Sequence, residues 1–137
     1  MLSNTQLIII SIIGWGIGSL LLKIANNNIH PIMVAAIMTA MYVVMIPLPF
    51  LVMKVDYTVN TAGVVFALLG GLGMCIGSLT YFYALKTGDA GQTTVMTALY
   101  PGLTLALSIM FLGETFSLRK GFGILLALVS VYVLSKK

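Results

Sequence analysis

The chain has 137 residues, of which 60% are hydrophobic and 7% charged, with a formal net charge of +4; its mean hydropathy is +1.11. A soluble domain carries charge on about a quarter of its residues, so this composition excludes one and leaves an integral membrane protein. The positive balance is scattered, which gives nucleic-acid binding no footing, and the single cysteine, Cys75, excludes an intrachain disulfide and a cysteine zinc cluster.

Inside hydrocarbon every backbone polar group must find a partner within its own segment, so apolar runs of about 20 residues become helices. Five such runs predict an all-α membrane protein, one five-helix domain over residues 1–137. The first helix covers about residues 6–25. Its start lacks the basic region and small-residue cleavage site of a secretory signal, so it is expected to be retained. Ser3 and Gln6 have capping-box spacing there, and the polar run Asn26 to Asn28 ends the helix.

The second helix is expected over about residues 31–53, with Pro31 in its first turn and Pro47 and Pro49 making it irregular. "KVDYTVN" ends it, and Asn60 can cap the third helix, about residues 61–86. "LKTGDAGQ" then reads as a tight link. Gly88 suits a left-handed position, and Asp89 with Gln92 has capping-box spacing for the fourth helix, about residues 90–112. The fifth, about residues 118–134, begins after Ser117, a suitable N-cap. Glu114 precedes its N-terminus, where the helix dipole favours negative charge, and Arg119 and Lys120 can reach that carboxylate or lipid phosphates. Because it sits shallow, this cluster reads first as a capped turn at headgroup level rather than as a cargo contact.

Alternating helices place Lys23, Lys86, Lys136 and Lys137 at one membrane face and Lys54, Arg119 and Lys120 at the other. Four against three is almost no bias, and orientation needs an excess of basic residues on one side. Both orientations are therefore open, and an odd helix count makes two oppositely inserted copies natural halves of an inverted-repeat carrier. The competing reading is a single orientation set by weak cues or by a partner subunit.

The stretch "YFYALKTGDAGQTTVMTALYPGLTLALSIMFLGETFSLRKGFGILLALVSVYVL", Tyr81 to Leu134, resembles the EamA domain of the drug/metabolite transporter superfamily. The resemblance rests on the aromatic-rich "YFYAL" ending the third helix, Pro101 in the fourth, Gly113-Glu114 after it, and Gly121 or Gly123 early in the fifth. Trp15 and "LLLKIA" in the first helix extend it over essentially the whole chain. Most family members look like two such units fused into ten helices; short bacterial and archaeal members have one. The likeness implies two copies around a shared cavity, with cargo among amino acids, other metabolites or drugs. The small multidrug resistance exchangers, similar to this superfamily, rely on a glutamate embedded in their first helix. None stands here, because Asp56, Asp89 and Glu114 all lie in links, which argues against proton coupling through a buried acid.

Cavity residues are expected among Trp15, Gly18, Lys23, Tyr42, Tyr81, Tyr100 and Pro101. Trp15 lies too deep for an interfacial belt, and its indole N–H needs a partner. Tyr42 and Tyr100 bring hydroxyls to mid-membrane, whereas Tyr81 lies nearer the third helix's end, where belt anchoring competes. Met38, Met41 and Met45 share a face of the second helix, either as adaptable wall or as ordinary packing. Lys23 either snorkels to the interface or attracts an anionic group of the cargo. Pro101 removes a helical hydrogen bond at membrane depth, as a hinge, a cavity wall or a static kink. Gly14 and Gly18, Gly73 and Gly77, and Gly102 with Ala98 and Ala106 form small-residue stripes where helices can approach closely.

No cofactor, metal or nucleic-acid partner is expected; lipid, a small solute and a second copy are. The inventory does not support an enzyme: His30 is the lone histidine, and "GGLG" at Gly70 to Gly73 lacks a flanking strand. Transport is the expected function, and a non-transporting accessory subunit paired with a different chain is its serious rival. A channel lacks a ring of charges or a filter-like loop.

Overall fold

The computed structural model describes residues 3–52 and 58–135, so the expected end of the second helix at Met53, the link residues Lys54 and Asp56, and the terminal Lys136 and Lys137 lie outside the described residues. Among the described residues the regular structure is wholly helical: α1 Asn4–Asn28, α2 Pro31–Met45, α3 Leu48–Val52, α4 Thr61–Thr87, α5 Ala90–Thr97, α6 Tyr100–Leu112 and α7 Leu118–Ser135. Four stretches, Asn4–Asn28, Pro31–Leu51, Thr61–Thr87 and Ala90–Leu112, are long and apolar enough to cross a membrane. At 1.5 Å per residue α1 is about 37 Å long, enough to exceed a hydrocarbon core of about 30 Å. The protein is an all-α, multi-pass membrane protein.

The helix starts follow local chemistry. Ser3 Oγ accepts from the Gln6 N–H while Gln6 Oε1 accepts from the Ser3 N–H, at 3.2 and 2.8 Å, a complete capping box. Asn60 Oδ1 accepts from Gly63 N–H at 2.7 Å, and Ser117 Oγ from Lys120 N–H at 3.2 Å. His30 caps α2 through Nδ1, which accepts from the Ile32 N–H at 3.3 Å. Hydroxyls along the spans turn back on their own helix, as Ser11 does to Leu7 O and Thr39 to Ala35 O, which pairs those groups within the span.

Two details of the "LKTGDAGQ" link differ from expectation. Gly88 is not left-handed; among the described residues the one positive φ belongs to Gly113, at 67°, which closes α6. The end of α4 needs no such turn, because the Thr87 hydroxyl bonds back to Tyr83 and Ala84 carbonyls and a lysine from α1 takes the Leu85 carbonyl. The Asp89–Gln92 capping box also fails to form. Asp89 makes no side-chain cap, and the Gln92 side chain reaches away from it, its Nε2 donating to Leu134 O, 3.0 Å away at the end of α7.

Both proline-bearing spans are interrupted rather than gently curved. The second span breaks at Ile46-Pro47 and the fourth at Ala98-Leu99. A proline nitrogen has no hydrogen, and its ring crowds the preceding turn, so the helix stops and restarts with proline in the new first turn. The chain divides into two units, Met1–Thr87 and Gly88–Lys137. In the first, α1 and α2 both pack on α4 around Phe82, Leu85, Val34, Pro31 and Asn26. In the second, α5 packs on α7.

Candidate functional site

Two features of the spans can do chemistry, one in each unit. The first is a polar seam between α1 and α4. Tyr81 Oη donates to Ser19 Oγ at 3.2 Å, and one turn further Lys23 Nζ donates to Leu85 O at 2.6 Å. Both pairs join residues 62 apart, so the two helices run parallel and in step. Lys86 Nζ crosses the other way, to Asn26 O at 3.3 Å. Parallel helices bring their negative carbonyl ends together. Here each helix supplies an ammonium to the carbonyl end of the other, which neutralises both.

Asn26 sits inside this seam with no exposed surface. Its Nδ2 donates to Leu22 O at 2.9 Å, and its Oδ1 has no partner. Close by, His30 meets Tyr83 edge-on, with ring centroids 5.8 Å apart. The seam therefore uses Lys23 and Tyr81 as inter-helix ties. Ser19, Asn26 and Lys86 were not anticipated as their partners. The available signal was spacing: Ser19, Lys23 and Asn26 fall at i, i+4 and i+7, one face of a helix.

The second feature is a groove in the unit Gly88–Lys137. The break between α5 and α6 and the facing turns of α7 enclose about 390 Å³, lined among others by Ala98, Pro101, Gly102, Lys120, Gly123 and Ile124. Pro101 cannot donate to Thr97 O, and the Gly102 N–H turns to Leu99 O, three residues back, at 2.9 Å. The Thr97 and Ala98 carbonyls thus lose their usual helical donors in the middle of the fourth span. Room comes from the glycines: a Cβ on Gly102 would already lie 3.7 Å from Ile124 Cγ2.

The mouth of the groove carries charge. Lys120 Nζ lies 3.3 Å from Glu114 Oε2 and 3.1 Å from Thr115 O. Lys120 is thus both a wall of the groove and half of an ion pair. Its side chain and that of Glu114 are 40% and 49% exposed, so solvent or a solute can compete for the pair.

The remaining expected residues lie on open helix faces. Trp15 is 68% exposed and Tyr42 54%, while Tyr100, at the break, is 60% exposed. A Cβ built on Gly14, Gly18, Gly73 or Gly77 would meet nothing within 4 Å. These small-residue faces are uncovered in the single chain, and Pro101 and Gly102 are the expected residues that the structure brings together in the groove.

Comparison with known proteins places the chain in a family. An uncharacterized protein of Methanocaldococcus jannaschii is 37% identical over 70 residues, a match that spans 51% of this chain and 51% of that protein. No solved structure matches the chain. The family model of EamA-like transporters matches residues 4–136. The chain, with Pro101 in its fourth span, belongs to the EamA-like transporter family.

Proposed function

We propose that this protein is a secondary transporter or facilitator that moves a small solute across the cell membrane by alternating access. The five spans act as one half-transporter unit, and two oppositely inserted copies form one carrier. The break in the fourth span carries this reading. Interrupted helices near the midplane expose backbone acceptors where a solute can use them, and irregular backbone is tolerated at that depth only against protein or a wet cavity.

Three further observations support the pairing. With five alternating helices, as read from the sequence, lysine and arginine would divide four to three between the two faces. The glycine faces of α1 and α4 are open, and close helix approach in lipid depends on such faces. Trp15 and Tyr42 stand on exposed surface in one copy, where a partner would enclose them beside Gly18. Within the unit Met1–Thr87, Lys23 and Tyr81 hold α1 against α4; within the unit Gly88–Lys137, Pro101 with the neighbouring Tyr100 offers the cargo wall at the break.

Reconstitution tests both parts. Purified protein in liposomes should accumulate radiolabelled solute from a mixed panel of amino acids, organic cations and polyamines, and Tyr100→Ala should slow that uptake. Silence across the panel with well-folded protein favours a non-transporting accessory subunit. A reporter fused to the C-terminus and active on only one side should give signal in both topological assays; strictly one-sided signal removes the antiparallel homodimer.

A further inference from the structure

We propose that the groove between the α5–α6 break and α7 recognises cargo through a carboxylate, which displaces Glu114 from Lys120, so that the solutes it holds are anionic or zwitterionic and not cationic. This rests on the proposed transport function and extends its cargo contact from the fourth-span break to the groove that the break forms with α7.

Charge decides the sign. Lys120 lines the groove, and no acidic residue does. Beside it stands Glu114, the ion-pair partner that a carboxylate on the solute would replace. A cationic solute entering an otherwise apolar groove would meet an ammonium, with no carboxylate among the lining residues to offset its own charge. A carboxylate meets a partner already aimed at one.

The Glu114 carboxylate shows that the geometry suits such an anion. Its Oε2 holds Lys120 Nζ at 3.3 Å, while Thr115 O takes a second ammonium proton at 3.1 Å. That leaves one N–H of the three that an ammonium carries. Glu114 sits in the link after Gly113 and is half exposed, so its hold on Lys120 is that of an accessible ion pair, which contributes little and exchanges readily. Glu114 is thus an internal placeholder: it keeps Lys120 neutralised when the groove is empty and yields to a carboxylate on the solute. Leu103 and Leu128, also lining the groove, receive the apolar body, and a volume of about 390 Å³ suits a metabolite rather than a lipid tail. No bond is made or broken in this exchange.

Four probes sharing one apolar body test it: N-acetylphenylalanine (anion), phenylalanine (zwitterion), phenylalanine amide (cation) and N-acetylphenylalanine amide (neutral). Binding is measured by isothermal calorimetry, and uptake in phosphatidylcholine vesicles, with the full chain. Each acid should bind about tenfold or more tightly than its matching amide, the scale of one charge-assisted hydrogen-bonded pair. Lys120→Met should erase that preference, and Glu114→Gln, which removes the competing carboxylate, should tighten acid binding several-fold. The opposite signs separate recognition from a general folding defect.

Equal binding of acids and amides, a preference that survives Lys120→Met, or no binding of either acid at millimolar concentration overturns the proposal. Loss of the preference on adding phosphatidylglycerol assigns Lys120 to a lipid phosphate and also overturns it. If acids bind selectively but none is taken up, transport fails while this inference stands. If all four probes are taken up without regard to charge, transport stands and this inference falls.

Discussion

The ammonium groups of Lys23 and Lys86 exchange places: Lys23 on α1 bonds the Leu85 carbonyl of α4, and Lys86 on α4 bonds the Asn26 carbonyl of α1. The two helices end side by side with their negative dipole ends aligned, so each lysine offsets repulsion as well as filling an empty acceptor. Lys23→Met should therefore lower stability by about 1.5–3 kcal/mol, the range for a hydrogen bond with a charged partner. Lys86 is more exposed and its bond is longer, so Lys86→Met should cost about 1 kcal/mol or less. Thermal unfolding in detergent, followed by circular dichroism, checks the order; a larger loss for Lys86→Met would count against the clasp.

Asn26 offers the reverse case. Its Oδ1 is buried without a donor, while its Nδ2 contributes one bond to Leu22 O. Leucine, of similar shape, would forfeit that bond but remove an acceptor whose burial is itself unfavourable by about 1–3 kcal/mol. Asn26→Leu should leave stability unchanged or raise it by about 1 kcal/mol, measured by the same unfolding transition.

At Pro101, alanine restores an N–H that can reach Thr97 O. The gain is that of one backbone hydrogen bond, about 1 kcal/mol, and the two halves of the fourth span should join. Uptake in liposomes should fall several-fold even as the unfolding temperature holds or rises, because the open carbonyls at the break are lost. Uptake unchanged by Pro101→Ala would make the break a static kink.

Gly113 and Gly91 separate backbone conformation from packing. Gly113 has φ 67°, so Gly113→Ala should cost about 1–2 kcal/mol through left-handed strain. Gly91 lies within α5, and a Cβ there meets nothing within 4 Å; Gly91→Ala should be stabilising by about 0.5–1 kcal/mol. Chemical denaturation in mixed micelles should show opposite shifts for the two variants.

Several of the helix starts, the breaks and the class of protein were legible in the sequence because each depends on neighbours in the chain. Ser3 and Gln6 cap one another within a single turn, Asn60 and Ser117 cap the turns that follow them, and Pro47 and Pro101 interrupt their own helices. The family resemblance was legible for the same reason, since it rests on order and spacing along one strand of text. Contacts between groups distant in the chain left no such trace. Gln92 spends its amide on Leu134, 42 residues away, and Lys23 satisfies an end of α4 that Gly88 would otherwise have turned.

Composition and hydropathy alone determined that this chain lives in a bilayer as helices, because desolvating unpaired backbone is too unfavourable for any other arrangement of so apolar a sequence. Only the tertiary structure decided which polar side chains are already occupied and which remain available. Lys23 and Tyr81 are consumed in holding α1 to α4, whereas Lys120 lines a groove and pairs with a half-exposed Glu114. That difference lies in who stands opposite each group across space, and residues 62 positions apart leave no mark of their pairing in a single sequence.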